Sequence, residues 1–111
     1  MTPHPEEFSA LGLTQKVLHV LERLKLSKPT PIQHQAIPIA IDGKDVIGIA
    51  QTGTGKTFAF GLPLLQRLSE SPGRALVVLP TRELAAQVEE SLRPFASALG
   101  IGVAVFVGGA P

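Results

Sequence analysis

No cysteine occurs in these 111 residues, which excludes disulfides and thiolate metal sites and agrees with a reducing compartment. No apolar run approaches the ~18–20 residues needed to cross a bilayer as a helix. The first residues carry Pro3, Pro5, Glu6 and Glu7 and lack the basic start and apolar core of a secretion signal. A cytoplasmic protein with no membrane partner is the expectation. Excess charge is missing too. At a net +1 the chain has no strong field, so affinity for nucleic acid must come from local placement of Lys and Arg. His4, His19 and His34 show no ligand spacing with one another or with carboxylates, and no metal is assigned to them. Repeats, low-complexity tracts and linker-like stretches are absent.

What is present is a globular composition, with 44% apolar and 17% charged residues, enough for one small core. The most informative stretch is 50–57, Ala50-Gln51-Thr52-Gly53-Thr54-Gly55-Lys56-Thr57, directly after the apolar run Val46-Ile47-Gly48-Ile49. A glycine-rich turn ending in Lys-Thr between a buried strand and a helix is the arrangement of a phosphate-cradling loop. Small residues let several backbone N–H groups converge on an anion, and the following helix points its positive end at the same place. Lys56 supplies a mobile ammonium for the outer phosphates. The Thr57 hydroxyl can complete the shell of a Mg2+ ion that keeps most of its waters. The strict pattern has glycine where this chain has Ala50, the least demanding of its three key positions. The bland alternative is a glycine-rich turn that binds nothing.

Helical and strand-like segments alternate along the chain. Thr14 can cap a helix running to about Leu26, with Leu13 and Leu18 as a hydrophobic staple and Val17, Leu18, Leu21 and Leu24 on one face. Pro29 breaks it, and a second helix starts at Thr30 with Pro31 at its first position. Asp42-Gly43-Lys44-Asp45 is a turn before a strand at 46–49. The helix after the phosphate loop runs to about Ser69, with a kink expected at Pro63. A second strand covers 75–79. Thr81 caps a long helix with Leu84, Ala85, Val88, Leu92 and Leu99 at helical spacing, disturbed at Pro94 and ended by Gly100. A third strand at 101–107 precedes Gly108-Gly109. Strands apolar on both faces, separated by helices, predict an α/β fold with a parallel sheet flanked by helices. Three strands leave that sheet unfinished.

Thr30-Pro31-Ile32-Gln33, the 50–57 loop, Pro80-Thr81-Arg82-Glu83-Leu84-Ala85-Ala86-Gln87 and Gly108-Gly109 occur in the order and at the spacings of one family. The chain resembles the front of the first RecA-like domain of DEAD-box RNA helicases, the bacterial members most of all, and the resemblance covers 8–109. It implies a P-loop NTPase fold, with a Q motif at about 8–33, a Walker A loop at 50–57, motif Ia at 80–87 and a glycine pair at 108–109.

The same resemblance assigns roles. Phe8 corresponds to an aromatic that stacks on adenine; without it, Phe8 can simply pin the N-terminal segment to the core. Gln33 resembles the Q-motif glutamine, whose amide can match adenine N6 and N7 as it does in DNA recognition. Taken by itself, Thr30-x-x-Gln33 is equally a capping box. Thr52, Gly53, Thr54, Gly55, Lys56 and Thr57 correspond to the ATP-binding loop, with Lys56 and Thr57 serving catalysis and Thr57 holding Mg2+. Pro80, Thr81 and Arg82 resemble a grip on the RNA backbone, at a helix N-terminus that favours phosphate; alone, they are a cap and a solvated face. Gly108 and Gly109 resemble the pair that lets backbone approach RNA, and are otherwise a strand-ending turn. Such contacts carry no base information, so sequence-independent RNA binding is implied. One departure stands out. The family has Gly-aromatic where this chain has Lys25-Leu26.

After its glycine pair the family continues to an Asp-Glu-Ala-Asp motif, a Ser-Ala-Thr motif and a second RecA-like domain. None of these is among the 111 residues, and phosphoryl transfer needs all of those parts in place. The expectation is a parent ATP-dependent RNA helicase that unwinds short duplexes, with this chain alone at most binding nucleotide. Two alternatives differ in class: another P-loop enzyme such as a DNA helicase or translocase subunit, or a non-catalytic interaction fragment.

Overall fold

The computed structural model describes residues 7–48 and 55–106. A 3-10 turn at Phe8–Ala10 is followed by four α-helices: α1 (Gln15–Arg23), α2 (Pro31–Ile41), α3 (Lys56–Glu70) and α4 (Arg82–Leu99). α3 is the centre of the arrangement. It packs against α2 on one side and α4 on the other, while α1 lies against α4. The core gathers Phe8, Leu11 and Leu13 from the N-terminal strap with Val17, Val20, Leu21, Ile37, Leu62, Leu65, Val88, Leu92 and Phe95. Two contacts hold α3 close to α4. Phe58 and Phe95 meet edge to face with ring centroids 5.5 Å apart, a favoured aromatic geometry. Gly61 presents no side chain to Leu92, and a Cβ there would come within 2.5 Å of the Leu92 Cδ2 atom.

The helix ends follow local chemistry. α2 begins with a complete capping box between Thr30 and Gln33 and with Pro31 at its first position. α4 begins at Thr81, whose hydroxyl oxygen accepts from the Leu84 N–H at 3.0 Å. Both α3 and α4 continue through their prolines, Pro63 and Pro94. α1 differs from expectation in three ways. It ends at Arg23 rather than about Leu26. Its buried stripe is Val17, Val20 and Leu21, and Leu24 is exposed. The Thr14 side chain makes no cap bond. The early stop has a clear cause: Lys25 adopts a left-handed conformation with φ 60°. Its N–H donates to the Glu22 carbonyl, and the Leu26 N–H donates to the Leu21 carbonyl. That is a Schellman closure.

The three-stranded parallel sheet is not present among the described residues. None of 46–48, 75–79 or 101–106 forms a ladder, although the exposure pattern keeps the two-residue period of a strand. Val77 is 38% exposed while Leu76 and Val78 on either side are 85% and 81% exposed; Val46 is 40% and Ile47 93% exposed. One face of each segment turns toward the helices and the other meets solvent. Parallel ladders are found where both faces are covered; here even the less exposed positions, Val46, Val77, Val103 and Val105, remain 38–52% exposed.

Candidate functional site

The phosphate-loop helix starts differently from its neighbours. Gly55 stands at the N-cap of α3 with φ 87°, and no side chain caps the helix there. No acidic residue occupies the first turn. Among the described residues no side chain caps the leading N–H groups of α3, and they stand at the end where the helix dipole favours an anion. Lys56 is the first helical residue and is exposed; Thr57 follows it, half-buried. A nucleotide's phosphates and a hydrated cation fit that donor set: open backbone N–H groups, one ammonium and one hydroxyl. Thr52, Gly53 and Thr54 lie outside the described residues.

Gln33 reaches this loop directly. It is 3% exposed. Its Oε1 accepts from the Thr30 N–H at 2.8 Å, and its Nε2 donates to the Gly55 carbonyl at 3.1 Å. Only one amide orientation satisfies both partners, because a flip would set NH2 against an N–H. Both Gln33 expectations bear on this amide. The capping box is formed and uses one lone pair of the amide oxygen; the bond to the Gly55 carbonyl uses one amide N–H, which leaves one of each. Gly55 has to be glycine: a Cβ there would lie 2.3 Å from Gln33 Nε2 and 2.9 Å from Thr30 Oγ1. A cavity of about 580 Å³ borders Lys56 together with Lys44, Arg67 and Arg74, beneath 44–48 and 74–75. Neither Gly55 nor Gln33 lines it, so it is a gap beside the helices and not the anion cradle.

Phe8 sits elsewhere. It is 3% exposed, packed in the core, and its N–H donates to the Ser27 carbonyl at 3.0 Å. That bond ties the N-terminal segment to the loop before α2. It also lines a second, smaller cavity with Leu18, Leu21, Lys25 and Leu26. Pro80, Thr81 and Arg82 are exposed at the start of α4, and the Thr81 cap bond leaves its hydroxyl hydrogen available to donate. Gly108 and Gly109 lie outside the described residues. Among the described residues no cluster of His, Asp or Glu could hold a metal ion, and no helix is long and apolar enough to cross a membrane.

Gln66 escaped the sequence reading. It is buried on α3, where its amide accepts from the Thr14 N–H at 2.9 Å and donates to the Gly12 carbonyl at 3.0 Å. The signal was available: Ala59, Leu62 and Gln66 share one face of α3, and a lone polar residue in an apolar stripe needs partners.

Comparison with known proteins agrees with this geometry. The family model described as DEAD/DEAH box helicase matches residues 30–111. An "ATP-dependent rRNA helicase RRP3" of Yarrowia lipolytica is 50% identical over 104 residues, covering 92% of this chain and 22% of that protein. A "Probable ATP-dependent RNA helicase DDX47" of Mus musculus is 49% identical over 104 residues, covering 92% and 23%. The chain thus spans about a fifth of the length of these curated relatives. Among solved structures, the RNA helicase Prp28 from Chaetomium thermophilum, bound to ADP, overlays all of this chain and 28% of its own with a TM-score of 0.87 at 43% identity. With a family match over most of its residues and a helicase neighbour following its whole course, the chain belongs to the DEAD/DEAH box helicase family.

Proposed function

We propose that residues 1–111 form the leading part of the first RecA-like domain of an ATP-dependent RNA helicase. The observation that carries this reading is the start of α3: an uncapped helix opening on Gly55-Lys56-Thr57, with the Gln33 amide fastened to the Gly55 carbonyl. In this reading the phosphates of ATP lie on the 52–57 backbone and Lys56, and Thr57 holds Mg2+. Gln33 and Phe8 face adenine. Pro80, Thr81, Arg82, Gly108 and Gly109 hold the RNA backbone without reading bases. The segments 46–49, 75–79 and 101–107 become parallel strands once a second layer covers their exposed faces. Two relatives are named as helicases, one of rRNA, so structured ribosomal RNA is the substrate to try first. The relative named as an rRNA helicase favours a nuclear or nucleolar compartment over the cytoplasm expected from the sequence. Hydrolysis belongs to a longer protein that supplies the acidic motif, and the 111 residues alone at most bind nucleotide, without turnover.

The test is RNA-stimulated phosphate release by the full-length protein, beside the 111-residue chain and a Lys56→Ala control. Stimulated turnover in the full protein, and none above the control in the short chain, supports the proposal. Turnover by the short chain, or none by the full protein, overturns it.

A further inference from the structure

We infer that Gln66 is a positioning residue that couples the adenine side of the nucleotide site to the helix carrying Lys56. The inference rests on the reading of Phe8 as an adenine contact. Gln66 and Gln33 are the buried polar side chains among the described residues. Gln33 holds the loop at Gly55; Gln66 holds the other end of α3 to the N-terminal strap through Gly12 and Thr14. That strap is fastened at a second point, where the Phe8 N–H donates to the Ser27 carbonyl. Ser27 lies in the loop leading to Thr30 and Gln33. The strap therefore spans from α3 to the approach of the Q motif, and Phe8 is at its far end. Gly12 turns the strap in a left-handed conformation, φ 93°, at the very carbonyl that Gln66 holds.

Gln66 has no route to a nucleotide of its own, so its influence must pass through the strap. A displacement of α3 when phosphates settle on Lys56 moves the Gln66 amide, and with it Gly12 and Thr14. By linkage, adenine contact at the strap acts back on phosphate affinity by the same factor. Removing the amide takes away the partner of the half-buried Thr14 N–H and of the Gly12 carbonyl, and the strap is then free to shift.

The test uses the full-length protein and two ligands: ADP, which engages both sides of the site, and tripolyphosphate, which engages only the loop. Dissociation constants are measured for the wild type, Gln66→Met, Gln66→Glu, Phe8→Ala and the Phe8→Ala/Gln66→Met double variant. Gln66→Met is expected to weaken ADP about tenfold, within the range of a lost base–aromatic contact, and to leave tripolyphosphate unchanged. The double variant should bind ADP no more weakly than Phe8→Ala alone. Gln66→Glu keeps the acceptor for Thr14 and loses the donor to Gly12, so a smaller loss for ADP alone is expected; it carries the test if Gln66→Met does not fold. Equal losses for both ligands, or additive losses in the double variant, would overturn the inference by showing a merely structural role. Wild-type ADP affinity in Gln66→Met, with Phe8→Ala weakened, would overturn it while sparing the adenine reading. Wild-type affinity in Phe8→Ala would overturn the adenine reading, and the inference with it.

Discussion

Lys25 and Gln33 show how much one side chain decides in this chain. Three helices close with the same pair of backbone bonds, at Lys25, Gly43 and Gly100, and each closing residue has positive φ. Gly43 and Gly100 adopt it freely; Lys25 has a Cβ that crowds the following carbonyl. Lys25 thus adopts the conformation that glycine takes at the other two closures, at a cost in strain. Lys25→Gly should raise stability by about 1 kcal/mol, measured as a higher denaturant midpoint with an unchanged slope. A fall would mean that the Lys25 side chain contributes more than its backbone loses. For Gln33, loss of the capping box alone costs about 1 kcal/mol of stability in Gln33→Ala and affects ATP and GTP alike. Adenine recognition adds a second effect, a selective loss for ATP worth roughly 1–3 kcal/mol. Titrating both nucleotides separates the two.

At the scale of elements, three threonines occupy N-caps and they are not equivalent. Thr30 and Thr81 accept from backbone N–H groups, whereas the buried Thr14 Oγ1 has no partner among the described residues. Thr81→Ala should cost ~1 kcal/mol. Thr14→Val should be neutral or stabilising, because it removes a buried hydroxyl that bonds nothing. A clear loss of melting temperature in Thr14→Val would reveal a partner. On α4 the Arg93 guanidinium donates to Glu89 and holds its carboxyl below the usual range. A folded-state value below the unfolded one adds stability above the unfolded value and loses it as pH falls through the folded one. Arg93→Ala should therefore flatten the acid limb of the stability curve slightly, since the pair is solvent-exposed.

Helix starts were legible because capping is local: Thr30, Pro31, Gln33 and Thr81 announce their helices within four residues. The Thr14 cap bond and the end of α1 were not, since each depends on a distant or strained partner, Gln66 and the left-handed Lys25. The strands were over-read for the same reason. Apolar runs specify an extended, half-buried path, but the ladder depends on neighbours and cover that no single run encodes.

For the whole molecule, the uncovered faces carry the clearest physical consequence. Ile47, Leu76, Val78 and Phe106 are each more than four-fifths exposed, and exposed apolar surface of this kind promotes association. The 111-residue chain should therefore sediment as concentration-dependent oligomers; a monomer with a sharp two-state unfolding transition would show those faces to be covered. The central claim is that the start of α3 holds the phosphates of an adenine nucleotide, and one titration tests it most directly. Calorimetric titration of ADP into the full-length protein should show saturable binding, largely abolished by Lys56→Ala while the circular dichroism spectrum stays unchanged. Wild-type ADP affinity in Lys56→Ala would contradict the account.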